Sequence, residues 1–178
     1  PYCFSFRVDN TPPTFTVLEP TLEGVSACPS QPIKILFDDL SGIDPISILM
    51  VVQGNLYDID SDELELLGDT LVFTPAEPFD EDLVNYTLVS VADGVGNLIG
   101  ESPLTSWFWV DLTSPEVLAT YPEDGEALPG GIDCISVFVY DDLTDIDLTT
   151  ASFKITYAAP ETVTYEFTYD DSVIYYDD

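Results

Sequence analysis

The sequence predicts an all-β protein made of Greek-key β-sandwiches of two antiparallel sheets, each sandwich of about a hundred residues. No segment shows the sustained 3.6-residue apolar period of an amphipathic helix. Glycine and proline together make up 24 of the 178 residues, and they separate short segments of strand-like alternation. The segment Phe6-Arg7-Val8-Asp9 also returns 102 positions later as Phe108-Trp109-Val110-Asp111. A repeat of this length indicates tandem copies of one domain.

The strands of the first copy follow from alternation and from the turn residues between them. Ile33, Ile35 and Phe37 alternate cleanly, which predicts a strand with one buried face. Gly68-Asp69 separates two apolar runs, and a glycine there can adopt positive φ and close a tight hairpin. Residues 19–31 contain Pro20, Gly24 and Pro29 and are predicted to form a loop. Strands are predicted over 14–18, 33–37, 46–52, 56–59, 63–67, 70–74, 85–92 and 106–110.

The second copy repeats this plan, and its strands are predicted over 135–140, 152–157, 164–169 and 172–176. Aligned on the first copy, it ends before the counterparts of residues 79–110. We therefore expect residues 10–111 to form one repeat and residues 112–178 to form a second, truncated repeat. Residues 1–9 match the closing strand of a copy. They are expected to complete a preceding repeat or to be exchanged with another chain.

The net charge is −31, from 34 acidic residues against three basic ones, and histidine is absent. Such a surface repels nucleic acid and anionic membranes, so neither is expected as a partner. Without histidine there is no Ser-His-Asp or Cys-His pair, and the sequence predicts a protein that is not an enzyme. Three settings would explain such an acidic surface: adaptation to high salt, binding of divalent cations by clustered carboxylates, or solubility of an extracellular polymer. No apolar run is long enough to insert this segment into a membrane.

The three cysteines are Cys3, Cys28 and Cys134. Cys28 and Cys134 each precede the second long strand of their copy, whereas Cys3 has no cysteine counterpart in the first copy. No pair is evident from these positions. Free thiols and a disulfide to another part of the array both stay open.

Clustered acidic side chains in turns predict calcium as the one bound cofactor, because Ca²⁺ takes six to eight oxygen ligands. One candidate site is the joint at Asp9 and Asn10, repeated at Asp111. The turn containing Asp93 and Asn97 would join it if both lie at the same end of the domain. Residues 58–63 also contain alternate aspartates, but they lack the glycine and distal glutamate of an EF-hand loop. A further candidate is the turn after the second long strand in each copy: Asp38, Asp39 and Asp44, matched by Asp141, Asp142 and Asp147.

Three segments resemble the bacterial immunoglobulin-like repeats of large secreted and cell-surface proteins. They are the joint Val8-Asp9-Asn10-Thr11-Pro12-Pro13, the turn Phe37-Asp38-Asp39-Leu40-Ser41-Gly42-Ile43-Asp44-Pro45, and the strand and turn from Tyr86 to Asn97. The resemblance implies tandem immunoglobulin-like sandwiches in a scaffold role. The joint is also similar, in its Asp-Asn-x-Pro portion, to cadherin linkers that bind calcium between domains. Asp145 replaces the turn glycine in the second copy, so a shared turn conformation there is not implied.

These features predict a structural segment of an extracellular or cell-surface protein that forms a stalk, filament or adhesin spacer. Its partners would be neighbouring repeats or identical chains in an array. The alternative is an adhesin module that binds glycan or another protein through its loops or an aromatic face. That face would comprise Tyr165, Phe167, Tyr169, Tyr175 and Tyr176, although cross-strand aromatic packing explains the same pattern.

Overall fold

The computed structural model describes residues 2–99, 104–130, 134–158 and 162–168. The chain divides into two compact units, Pro1–Leu112 and Thr113–Asp178, named unit 1 and unit 2. Apart from one short 3₁₀ helix, Leu148–Thr150, the regular structure of the described residues is all β. In this part of the chain no helix has the length and apolar character needed to cross a bilayer.

Unit 1 contains nine strands in its described residues. Seven of the eight predicted strands overlap an observed strand to within two residues at each end, and β4 begins three residues earlier than predicted. The strands are β1 Thr14–Glu19, β2 Val25–Ser26, β3 Ile33–Asp38, β4 Ile43–Val52, β5 Asn55–Asp58, β6 Leu64–Leu67, β7 Thr70–Phe73, β8 Leu83–Asp93 and β9 Leu104–Val110.

These strands form two sheets. One has four strands in the order β1-β3-β7-β6, and the other has five in the order β2-β9-β8-β4-β5. The last strand, β9, therefore lies inside its sheet between β2 and β8. The pairing of β2 with β9 is parallel, which corrects the expectation of purely antiparallel sheets. A two-residue strand carries no periodic pattern, so β2 could not be predicted within the loop.

The buried residues come from both sheets and form one apolar cluster, as in a β-sandwich. Ile33, Ile35 and Phe37 alternate along β3 and are buried, as predicted. Met50 and Leu88 are buried in the other sheet. Each such side chain contributes about 1.5–3 kcal/mol when fully buried. The cluster comprises Ile33, Ile35, Phe37, Ile48, Met50, Val52, Leu64, Leu71, Phe73, Val84, Tyr86, Leu88, Val91, Phe108 and Val110.

The predicted hairpin at Gly68-Asp69 is confirmed. Leu67 at the end of β6 pairs with Thr70 at the start of β7, and Gly68 has φ of +63°. A side chain at that backbone angle would be strained, so glycine is the residue that closes the loop at low cost. The carbonyl of Asp69 also accepts a hydrogen bond from the N–H of Phe37 at 2.8 Å, which ties the hairpin to β3.

Unit 2 contains four strands in its described residues: β10 Glu116–Tyr121, β11 Ser136–Tyr140, β12 Ser152–Ala158 and β13 Thr162–Thr168. They form two antiparallel pairs, β10 with β11 and β12 with β13. The predicted strand over 172–176 lies outside the described residues. So do the side chains of the proposed aromatic face.

The pairing of β1 with β3 recurs in unit 2 with the same register at both ends and a β-bulge at a different position. Thr14 pairs with Asp38, and Glu116 pairs with Tyr140, each 102 positions later. Asp141 thus occupies the place of Asp39. This corrects the match drawn from the sequence, which aligned Asp39 with Asp142. The following turn is one residue longer in unit 2, because Asp147 still corresponds to Asp44.

Candidate metal centre

Two turns of unit 1 meet at one end of the sandwich because a glycine allows close approach. The first turn follows β3, and the second follows β8. The N–H of Gly94 donates to the carbonyl of Gly42 at 3.1 Å. A Cβ on Gly94 would lie 2.5 Å from the carbonyl oxygen of Ser41, a distance that no side chain tolerates. This close approach places Asp39 and Asp93 near each other.

Asp93 is the last residue of β8 and is only 1% exposed. Its Oδ1 accepts hydrogen bonds from the N–H groups of Val95 at 3.0 Å and Asn97 at 2.7 Å. Its Oδ2 accepts one from Nδ2 of Asn97 at 2.7 Å. Burial acts to raise the pKa of Asp93, but these hydrogen bonds favour the ionised form and hold the pKa below its usual value. The turn therefore keeps a buried carboxylate charged.

Asp9 reaches the same end of unit 1 from the N-terminal joint. The hydroxyl of Ser41 donates to its Oδ2 at 2.5 Å, and both the N–H and the hydroxyl of Thr11 donate to its Oδ1 at 3.0 and 2.6 Å. Nδ2 of Asn97 donates to its carbonyl at 3.2 Å. The hydrogen bond from Ser41, followed by those from Thr11, lowers the pKa of the Asp9 carboxyl. The joint is thus tied to both turns.

Asp39 completes a group of three carboxylates with Asp9 and Asp93. One oxygen from each lies within 4.8 Å of the others. Asp39 also accepts a hydrogen bond from the N–H of Ser41 at 2.7 Å. Three carboxylates at this spacing repel one another, and a hard cation between them would remove that repulsion. The donor set fits calcium, with further oxygens to come from carbonyls or water.

The structure thus unites residues that the sequence assigned to two separate candidate sites. Asp9, Asp39, Asp93 and Asn97 lie together, as expected if the turn after β8 shares an end with the joint. Asn10 is exposed beside Asp9, and Asp38 is exposed at the end of β3. Neither belongs to the three-carboxylate group.

Asp111 lies at the other end of unit 1. Its N–H donates to the carbonyl of Ser26 at 3.0 Å, and β9 before it runs antiparallel to β8, with Trp109 opposite Leu83. The eleven residues of β8 separate this end from Asp93 by roughly 30 Å at about 3.3 Å per residue. Asp9 and Asp111 therefore do not contribute to one site within unit 1.

Asp44 and Asp147 make the same local hydrogen bonds in their two units. Asp44 Oδ1 accepts from the N–H of Ile46 at 3.2 Å, and its carbonyl accepts from the hydroxyl of Ser47 at 2.6 Å. Asp147 Oδ1 accepts from the N–H of Thr149 at 3.0 Å, and its carbonyl accepts from the hydroxyl of Thr150 at 2.8 Å. These bonds organise the chain after each turn.

In unit 2, Asp141 caps its own turn. Its Oδ1 accepts the N–H groups of Thr144 at 3.0 Å and Leu143 at 3.1 Å, and these bonds lower the pKa of its carboxyl. Asp142 lies within 3.5 Å of the Thr113 hydroxyl. A shallow cavity of about 200 Å³ is lined by Thr113, Ser114, Glu116, Tyr140, Asp141 and Asp142.

The run 58–63 forms a turn that its own side chains help to close. Oδ1 of Asp58 accepts hydrogen bonds from the N–H of Asp60 and the hydroxyl of Ser61, both at 3.1 Å. The three cysteines are exposed, free thiols.

Sequence reasoning missed the hydroxyl donors Thr11 and Ser41 and the contact of Gly94 with Ser41. The Asp-x-Thr spacing at 9–11 is a local turn pattern that could have revealed Thr11. Ser41 and Gly94 act over a long sequence separation, which no local pattern shows. Comparison of this chain with protein-family models and with curated proteins found no match.

Proposed function

We propose that this chain is a non-enzymatic structural segment of an extracellular or cell-surface protein. In this proposal tandem immunoglobulin-like domains of the bacterial type form a stalk, filament or adhesin spacer. The observation that carries the proposal is the placement of Asp9 and Asp111 at opposite ends of unit 1. A domain that the chain enters at one end and leaves at the other adds length with each copy.

The recurrence of local structure supports the tandem arrangement. At both of their ends, the pairing of β1 with β3 and the pairing of β10 with β11 share one register at an offset of 102 residues. Asp44 and Asp147 bind the same two donor positions, two and three residues further along. Two segments with matching register and matching turn bonds fit two copies of one domain.

Calcium at the joint would stiffen such an array. Asp9 belongs to the joint, whereas Asp39 and Asp93 belong to the body of unit 1, so an ion bound by all three would fix the joint against the sandwich. Asp9 and Asp93 have pKa values below the usual value of a carboxyl, so both are ionised at neutral pH, as cation binding requires. The ion would also reduce the repulsion within a chain of net charge −31.

Small-angle X-ray scattering tests the spacer function. A compact globule of this length has a radius of gyration of about 16 Å. We expect a clearly larger value and a distance distribution with a long tail, measured in a dilution series extrapolated to zero concentration. A radius near the globular value at every concentration would contradict a segment that adds length.

A further inference from the structure

A cavity of about 250 Å³ opens between two segments of unit 1. One wall is the β4–β5 hairpin, which contributes Val52 and Tyr57, and the other is the chain from the end of β7 to Phe79. The cavity is remote from the three-carboxylate group, because Val52 ends β4 whereas Ile43, at the start of β4, pairs with Asp93. Its volume suits one side chain or a small organic group rather than a large ligand.

The hairpin wall is fixed by Gln53. Gln53 and Gly54 have φ of +50° and +78°, the pattern of a type I′ turn, and the positive φ strains the glutamine. Its Nε2 donates to the carbonyl of Leu83 at 2.9 Å, and its Oε1 accepts from the N–H of Asn85 at 3.2 Å. Its own N–H donates to the carbonyl of Asn85 at 2.9 Å. These hydrogen bonds offset the strain and hold the hairpin against β8.

The second wall is held by the core of unit 1. The N–H of Phe79 donates to the carbonyl of Pro29 at 2.7 Å, and its ring packs edge-on against that of Phe108 with centroids 5.9 Å apart. The rings of Tyr57 and Phe73 make a similar contact at 4.9 Å, which joins the two walls. Three aromatic rings therefore line a cavity that is formed before any ligand enters.

The polar groups of the cavity are few. Of the described residues that line it, Glu77 alone is charged, and its side chain is exposed without a hydrogen bond to another described residue. The amide of Gln53 is occupied by β8, so Asn55 supplies the one amide that remains. A sugar ring needs partners for several hydroxyl groups, and this set is too small for that. A single carboxylate beside aromatic rings instead fits an organic cation.

The guanidinium group of arginine matches this combination. It is planar and weakly hydrated, it stacks on aromatic rings, and it can donate two parallel hydrogen bonds to one carboxylate. The net charge of −31 also attracts a basic partner and repels an acidic one. Size, charge and aromatic lining thus favour the same occupant.

We infer that this cavity of unit 1 binds an arginine side chain that a basic partner protein presents. The aromatic rings would contact the guanidinium plane and the alkyl stem, and the carboxylate of Glu77 would accept the guanidinium N–H groups. The inference adds a binding site to unit 1 and does not rest on the proposed spacer function.

The test is a titration of the ¹⁵N-labelled chain with N-acetyl-arginine amide, followed by NMR at about 0.15 M sodium chloride to screen general attraction. We expect saturable shifts of the amides of Gly54 and Glu77 with a Kd of about 1–10 mM, weak because a single side chain is bound. The citrulline analogue has nearly the same shape without the charge and should not saturate. The lysine analogue should bind more weakly, and glucose should leave the spectrum unchanged.

Two matched variants locate the charge. Glu77→Gln should weaken arginine binding at least about threefold, as expected for loss of an exposed ion pair. Glu81→Gln loses the same charge at an exposed residue that does not line the cavity, and it should bind like wild type. Tyr57→Leu keeps apolar bulk but removes an aromatic ring, so it should also bind more weakly. The dispersion of each spectrum confirms that the variant is folded.

Several results would overturn the inference. Equal effects of Glu77→Gln and Glu81→Gln would show general attraction to an acidic surface. Equal binding of the citrulline or lysine analogue would remove the assignment to guanidinium, and saturable binding of glucose would assign the cavity to a saccharide. The scattering test of the spacer function is made without any ligand, so the two proposals fail independently.

Discussion

A methyl group on the α-carbon of Gly94 would lie 2.5 Å from the carbonyl oxygen of Ser41. Gly94 also donates its N–H to the carbonyl of Gly42, the next residue. Two turns that are far apart in sequence are therefore held in backbone contact. The carboxylates of Asp39 and Asp93 approach each other because these turns do.

Gly94→Ala should destabilise unit 1, since the added Cβ must push apart two segments of backbone. Overpacking of this kind typically costs about 1–3 kcal/mol. Urea unfolding followed by circular dichroism would show a lower midpoint at unchanged slope. Val95→Ala, at an exposed neighbour in the same turn, should stay within about 0.5 kcal/mol of wild type. Equal effects of the two substitutions would contradict the close contact.

Asp93→Asn should lower the thermal midpoint by several degrees in the presence of chelator. The amide removes the charge that strengthens three hydrogen bonds, and its NH₂ group cannot accept from the donors around it. Asp60→Asn, in an exposed turn, is the matched control and should leave the midpoint near that of wild type. Differential scanning calorimetry would measure both. An unchanged midpoint for Asp93→Asn would show that the carboxylate does not organise the turn.

The stabilising effect of Asp93 should depend on pH in a defined direction. Hydrogen bonds lower the pKa of this carboxyl in the folded state, so its contribution is fully present above the unfolded pKa of about 4. The contribution is lost as pH falls through the lower folded pKa. The difference in unfolding free energy between wild type and Asp93→Asn should narrow below about pH 4. A difference that widens on acidification would reverse the assigned direction.

Calcium should raise the thermal midpoint if the joint binds it. A ligand specific for the folded state, at a hundred times its dissociation constant, adds roughly 2.7 kcal/mol of stability. The rise should vanish in Asp9→Asn/Asp39→Asn and persist in Asp58→Asn/Asp60→Asn, which removes two carboxylates from a separate turn. Sodium chloride at matched ionic strength controls for screening. No calcium-specific rise would remove the metal from the proposed function and leave the fold unaffected.

Substitution by alanine at equivalent positions of the two units should lower the free energy of unfolding by different amounts. Ile35→Ala empties a fully buried site and should cost about 2–5 kcal/mol. Val137→Ala, at the matching position of unit 2, removes a half-exposed side chain and should cost less than about 1 kcal/mol. Both values come from urea unfolding of dilute, monomeric protein. A large cost at Val137 would show that this face is already covered within a single chain.

Much of the fold was predictable because the alternation of apolar and polar residues along a strand indicates which of its faces is buried. Ile33, Ile35 and Phe37 were assigned to one buried face by spacing alone, and Gly68 was assigned to a hairpin by its tolerance of positive φ. The parallel strand β2 was not predictable, since two residues carry no period. Its place depends on the long-range pairing of Val25 with Trp109.

The candidate site was predictable in its residue types but not in its grouping. The turn residues around them predicted Asp9, Asp39 and Asp93 as carboxylates at or just beyond the ends of strands. Whether those turns meet depends on sheet order, and on the missing side chain of Gly94. Neither the sheet order nor the close contact at Gly94 can be derived from local sequence. The sequence pattern therefore groups Asp39 with Asp38 and Asp44 rather than with Asp9.

The inner position of β9 has a consequence for synthesis on the ribosome. The strand made last in unit 1 lies between β2 and β8 rather than at the edge of the sheet. Until residue 110 leaves the exit tunnel, β8 has an unpaired edge and part of the core lacks Phe108 and Val110. The nascent chain therefore exposes apolar surface late into translation, and it acquires its stability in one final step rather than strand by strand.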